Sequence, residues 1–178
     1  MYPRVYAVAA LLLSQQVALS PDDVVQFLGG IVFGLIQKDD LSKIQTCIND
    51  AQDLQKDITT MVEDFEKKDM ADILAGIEEA GKVIQEFPAD LGDCQGMQAD
   101  VTRIENWAKI FDDPTKLVQT LLVNIVQHLG DIIGDITKMN TDIGSNSWYN
   151  AGDDIADILV KTLGPVPEDP ETIEVTMW

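Results

Sequence analysis

Apolar residues recur along this chain at helical spacing, and one stretch differs from the rest because it is apolar all round. From Val24 to Ile36 the sequence reads VVQFLGGIVFGLI, with Gln26 as its one polar side chain. A helix that is apolar on every side must be buried, and at roughly 20 Å it is shorter than the roughly 30 Å core of a bilayer. The stretch therefore predicts a central core helix over residues 22–37. The alternative interpretation is a membrane-active or ligand-contacting hairpin.

Five further helices are predicted because each segment carries one apolar stripe with steps of three and four residues. They are expected at Leu41–Lys68, Asp69–Phe87, Ala89–Phe111, Asp113–Met139 and Trp148–Leu163. Pro88 is expected to end one helix, and Asn140–Ser147 to form a loop. Short connections make neighbouring helices antiparallel. The sequence therefore predicts an all-α fold, a single-domain antiparallel helical bundle of about six helices over residues 21–164.

The fifth predicted helix has a wider apolar surface than the others. Its main buried line is expected to include Val118 and Leu122, and Leu117, Leu121 and Ile133 widen that line. A stripe of this width indicates a helix with two packing sides.

The two cysteines are expected to form one disulfide. Cys47 lies about six residues into the second predicted helix, and Cys94 about five into the fourth. Because alternate helices of an antiparallel bundle run parallel, both lie at the same end and the same height. By the loop-entropy model, closing this loop stabilises the fold by about 4 kcal/mol. Two buried free thiols are the alternative.

The ends of the chain are expected to lie outside the bundle. Residues 1–20 resemble a signal peptide, with Arg4 followed by the apolar run Val5–Leu13 and possible cleavage after Ser14, Ala18 or Ser20. This predicts a secreted, extracellular protein. Residues 165–178 are rich in proline and acids and are expected to form a mobile tail.

The charge balance narrows the range of partners. The chain has 12 Lys and Arg against 31 Asp and Glu, a net charge of −19. Nucleic acids and anionic membrane surfaces both need a cationic surface, so neither is expected as a partner. The composition fits a neutral or cationic apolar ligand, or a protein partner.

No motif indicates catalysis. His128 is the single histidine, and no zinc spacing, phosphate loop or dinucleotide fingerprint occurs. Oxygen ligands between Asn140 and Asp154 lack the EF-hand spacing, so neither a metal nor a cofactor is expected. We expect no enzymatic activity.

Three features together carry a resemblance to a protein group: the two-cysteine helical body, the run Leu121–Asn124, and the start Trp148–Asp153 of the last helix. Over residues 28–163 the chain resembles small secreted helical proteins of ciliates and other protists. This resemblance implies secretion and an all-helical fold, and it implies no activity and no site residues.

The main functional prediction is a non-enzymatic bundle that binds an apolar small molecule, a lipid or a protein. The glycine gaps of the first helix and the broad apolar surface of the fifth are expected to line a cavity. The candidate ligand-contacting residues are Gly30, Ile31, Gly34, Leu121, Ile125 and Leu129. The alternatives are an extracellular structural or self-assembling component, and a membrane-permeabilising protein that uses residues 24–36.

Overall fold

The computed structural model describes residues 19–48 and 52–168, and within these ranges the chain is helical with no strand. The helices are α1 Pro21–Ile36, α2 Leu41–Cys47, α3 Gln52–Glu66, α4 Met70–Leu91, α5 Gln98–Ala108, a 3₁₀ turn Lys109–Asp112, α6 Pro114–Gly144 and α7 Trp148–Leu163. The all-α bundle with one disulfide is therefore confirmed. The described part has seven α-helices where about six were predicted for the whole chain.

Helix α1 is the central element, as its apolar sequence predicts. Ser20 caps it through a capping box: its hydroxyl accepts from the Asp23 N–H at 3.2 Å, and the Asp23 carboxylate accepts from the Ser20 N–H at 2.8 Å. Most of its residues are buried, including Ile31. Leu19 is only 5% exposed, so the fold begins before Pro21. The rest of the predicted signal peptide, residues 1–18, lies outside the described residues.

The predicted helix Leu41–Lys68 is wrong as a single element. The chain forms α2 and α3 instead, with Ile48 in an extended conformation after α2. Residues 49–51, between the two helices, lie outside the described residues.

The Cys47–Cys94 disulfide is confirmed, with a Cα–Cα distance of 5.4 Å. Its predicted setting is only partly right. Cys47 is the last residue of α2, whereas Cys94 lies in the turn between α4 and α5 and not inside a helix.

The predicted stop at Pro88 is wrong, because α4 continues through it to Leu91. Proline removes one helical hydrogen bond, yet Phe87 and Leu91 on either side of it are fully buried. Their packing holds the last turn in place. The next helix consequently begins at Gln98 and not at Ala89.

Helix α6 is the longest helix of the described residues, and α7 follows it after a short turn. The Asp113 carboxylate caps α6 by accepting from the Lys116 N–H at 3.1 Å. The helix departs from helical dihedrals at His128 (φ −114°, ψ 15°) and continues to Gly144, past the predicted end at Met139. Helix α7 has its predicted bounds and packs against both α1 and α6.

The first residues after α7 are attached to α5. Val166 is 6% exposed, and the Arg103 guanidinium donates two hydrogen bonds to the Pro167 carbonyl at 3.1 and 3.0 Å. The Trp107 indole N–H donates to the Gly164 carbonyl at 3.0 Å. The predicted mobile tail is therefore docked where it starts, and residues 169–178 lie outside the described residues.

Candidate interaction surface

The glycines of α1 are contact points for α7. A Cβ added to Gly30 would overlap the backbone oxygen of Tyr149, and one added to Gly152 would overlap the backbone oxygen of Phe27. The two helices thus approach each other backbone to backbone, with a glycine on each. The gaps left by the glycines are therefore filled by α7.

Gly34 makes a similar contact further along the same crossing, since a Cβ there would overlap the side chain of Ala156. Ile31 lies between the two glycine contacts and is fully buried. The structure thus places Gly30, Ile31 and Gly34 in packing contacts of the α1–α7 region. Their ligand-contacting role stays a prediction, and the packing described here offers it no open space.

The other three candidate residues lie on α6. Leu121 and Ile125 are fully buried, and Leu129 is partly buried against the core. Helix α7 packs against both α1 and α6, the two helices that carry the candidate residues.

The unexpected feature of α6 is its outer surface. Val118, Leu122, Val123 and Val126 are 40%, 45%, 57% and 67% exposed. Residues four apart on a helix are neighbours on one side, so these four form a contiguous patch, which we call the α6 apolar face. The prediction that Val118 and Leu122 are buried is wrong. Of the two packing sides predicted from the broad stripe, only one is covered by a neighbour among the described residues.

The length and composition of α6 also set it apart. Of the helices in the described ranges, it is the one long and apolar enough to cross a membrane by those two criteria, and 22% of its apolar window is buried. A core helix of a soluble protein passes the same test while being mostly buried. The low buried fraction therefore identifies a helix with an uncovered apolar side.

Charges flank the α6 apolar face without entering it. From Leu117 to Gly130 the helix carries no Asp, Glu, Lys or Arg, and the run is bounded by exposed Lys116 and exposed Asp131. Gly130 lies in open space, with no heavy atom within 4 Å of an added Cβ. The half-buried His128, where the helix departs from helical dihedrals, lies near the end of this charge-free run.

Acidic side chains are concentrated at the contact between α6 and α7. Asp135 is buried and paired with Lys138 at 3.1 Å and with Lys161. Asp154 is also buried, and its Oδ2 has no hydrogen-bond partner. Burial, together with the nearby charge of Asp142, raises the pKa of Asp154 to about 7. No group of three or more such side chains that could hold a metal ion occurs in the part of the chain described.

A groove of about 590 Å³ lies beside α5 and the segment after α7. The surface of its lining is mostly apolar, and the residues that line it are Gln98, Ala99, Thr102, Arg103, Asn106, Trp107, Pro167 and Glu168. Arg103 and Trp107 already donate to backbone carbonyls of residues 167 and 164. These donors serve to dock the segment after α7.

Comparison with known proteins gives one result. No curated protein and no solved structure matches the chain, whereas the model of one family, SctB-like (secreted protein B-like), matches residues 11–163. The family description supports the expected secretion and names no reaction. It does not mention ciliates or other protists, so that part of the resemblance stays an expectation. Since the match extends over most of its length, the chain belongs to the SctB-like family of secreted protein B-like proteins.

Proposed function

We propose that this chain is a secreted, non-catalytic protein that acts by binding, and that its binding surface is the α6 apolar face. One observation carries the proposal: four large apolar side chains, 40–67% exposed, lie together on one helix. Single exposed apolar residues are common on soluble proteins, whereas contiguous apolar patches mark interaction sites. Burying such a patch against a partner stabilises the complex by roughly 25 cal/mol per Å² of apolar surface removed from water.

This proposal moves the binding site from the interior to the surface. A cavity between α1 and α6 was the basis of the apolar-carrier hypothesis, and α7 packs against both of these helices. The chemistry expected of the partner is unchanged. With a net charge of −19, the chain favours a neutral or cationic apolar ligand, or a protein, over an anionic surface.

The membrane-permeabilising alternative requires α1 to leave the core. Residues 24–36 are largely buried, and Gly30 contacts the backbone of α7. To reach a bilayer, α1 would have to leave its capping box and its contact with α7. The apolar side of α6 is already exposed and needs no such rearrangement to meet an apolar partner.

Titration with the neutral dye Nile red tests the proposal. The parent chain is expected to bind the dye saturably. A Leu122→Glu, Val126→Glu variant should bind at least about tenfold more weakly, because two charges then interrupt the patch. Both positions are exposed, so circular dichroism should show an unchanged fold.

The matched control carries the same added charge elsewhere. Gln45→Glu and Gln95→Glu are exposed substitutions outside α6, and this double variant should bind the dye as the parent does. A parent chain that binds no dye, or a Leu122→Glu, Val126→Glu variant that binds as tightly as the parent, would show that the α6 apolar face is not a binding surface.

A further inference from the structure

We infer that the groove beside α5 is a peptide-binding site, and that its occupant is the segment 169–178 of the same chain, folded back along the helix. This inference concerns a different surface from the α6 apolar face and does not depend on it. Three observations support it: the course of the chain after α7, the pattern of apolar residues in the 169–178 segment, and the charge of the groove.

The chain after α7 runs along α5 into the groove. The Gly164 carbonyl accepts from the Trp107 indole at 3.0 Å. The Pro167 carbonyl accepts from the Arg103 guanidinium, one helical turn nearer the start of α5. Pro167 and Glu168 are themselves part of the groove lining. The 169–178 segment, with the sequence DPETIEVTMW, therefore starts at the groove.

The first residues of the segment carry a turn signal. Asp169 and Pro170 suit the first and second positions of a β-turn, which aspartate and proline favour. A turn there reverses the chain, so the residues after it run back along α5. The side of α5 that they would follow carries exposed groove residues four apart, namely Gln98, Thr102 and Asn106.

The returning residues alternate between apolar and polar side chains. The apolar ones are Ile173, Val175 and Met177, and a threonine or glutamate lies between them. In an extended chain, alternate side chains point to opposite sides, so these three share one side. An apolar side of this kind fits the groove, because the surface of its lining is mostly apolar.

The charge of the groove suits an acidic occupant. Among the described residues of the lining, the α5 side carries one charged group, the Arg103 guanidinium, although the chain has a net charge of −19. Its Nη1 lies 4.0 Å from Asp100 Oδ1, which is longer than a hydrogen bond. The 169–178 segment has three acids and no Lys, Arg or His. A carboxylate of the segment would therefore meet a cation at the groove.

Covalent attachment favours this segment over an external occupant. The groove, at about 590 Å³, lies within the roughly 300–1,000 Å³ of ligand sites, so it has room for several side chains. Because the segment follows directly from Glu168, its effective concentration at the groove is of about millimolar order. A free peptide or a small apolar molecule has to compete with it.

Hydroxyl-radical footprinting of the full chain measures the accessibility of Trp107, which lines the groove. In an Ile173→Asp, Val175→Asp variant the oxidation rate of Trp107 should rise about threefold, because charged side chains oppose entry into an apolar groove. The matched control is Thr172→Asp, Thr176→Asp. It adds the same charge on the other side of the segment and should leave Trp107 as in the parent.

A change in the groove itself should have the reciprocal effect. Thr102→Glu should raise the oxidation rate of Met177 about threefold, because it places a charge where the segment docks. Gln95→Glu, an exposed substitution outside the groove lining, should not. Both positions on the body of the protein are exposed, so the circular dichroism spectrum should stay unchanged.

A fluorescent peptide with the sequence DPETIEVTMW tests the site directly. Titrated to about 2 mM, the scale of the tethered concentration, it should bind the Ile173→Asp, Val175→Asp variant saturably. It should bind the parent at least about tenfold more weakly, because the tethered segment competes with it.

The other outcomes overturn the inference in distinct ways. Equal oxidation of Trp107 in the parent and the Ile173→Asp, Val175→Asp variant would show a groove open to external ligands. An equal rise in the Thr172→Asp, Thr176→Asp control would show that the apolar side does not seat the segment. Protection of Trp107 that increases with protein concentration would assign the groove to a second copy. A peptide that does not bind the Ile173→Asp, Val175→Asp variant would show that the groove is not a peptide site.

Discussion

Gly30 and Gly134 lie in helix interiors, yet the structure gives them opposite roles. A Cβ at Gly30 would overlap the Tyr149 backbone oxygen, whereas one at Gly134 would have nothing within 4 Å. We therefore expect Gly30→Ala to lower the free energy of unfolding by about 1–3 kcal/mol. Gly134→Ala should raise it by about 0.5–1 kcal/mol, since alanine favours the helix. Urea unfolding of the two variants measures both changes.

The comparison is controlled because both changes add one methyl group to a helical glycine. Equal effects at the two positions would contradict the α1–α7 backbone contact. The glycines of α1 could be recognised in the sequence as gaps in the helix surface, but the helix that fills these gaps could not. Nothing in residues 24–36 indicates that Gly152, more than a hundred residues later, supplies the matching gap.

At the scale of whole elements, the first residues after α7 are docked although their composition predicted a mobile segment. Prolines and acids predicted a mobile tail from Pro165, but Val166 is 6% exposed and Pro167 accepts two hydrogen bonds from Arg103. Local composition indicates only the conformational preference of a segment in isolation. It does not reveal the surface of α5, on which this segment docks.

Val166→Asp is accordingly expected to destabilise the protein. Burying a charge without a partner opposes folding, and the expected loss is about 1–3 kcal/mol. Thermal unfolding followed by circular dichroism measures the effect. Pro167→Ala is the matched control, because its side chain is exposed and its carbonyl remains an acceptor. If the Val166→Asp variant has the same melting temperature as the parent, the contact with α5 does not contribute to stability.

Helix periodicity identified most of the helical chain, and it failed where packing overrides local signals. Pro88 is a strong local stop, but the burial of Phe87 and Leu91 carries α4 past it. The width of the apolar stripe on α6 indicated two packing sides, and among the described residues only one of them is covered. Which side a neighbour would cover depends on tertiary contacts, so the exposure of Leu122 could not be read from the stripe.

The acid excess acts on the molecule as a whole because several carboxylates face one another across helix contacts. Burial, and then the charges of Asp57, Asp90 and Asp53, raises the pKa of Glu86. Burial and the charge of Asp53 raise the pKa of Asp90. Asp154, near Asp142, has a pKa of about 7. These shifts have the same direction, so they combine into one dependence of stability on pH.

We expect the protein to be more stable at pH 5 than at pH 7.5. An aspartate has a pKa of about 3.9 when unfolded and Asp154 about 7 when folded, so between these values the folded state binds more protons. Its stability must therefore fall as pH rises through this window and level off above it. Urea unfolding at intervals of pH measures the slope of stability against pH.

Asp154→Asn should flatten this slope and raise the stability at pH 7.5, because the amide carries no charge to desolvate. Asp131→Asn, an exposed change on the same pair of helices, should leave the slope as in the parent. A parent chain whose stability rises between pH 5 and pH 7.5 would show that its carboxylates are better paired than the packing of α6 against α7 indicates.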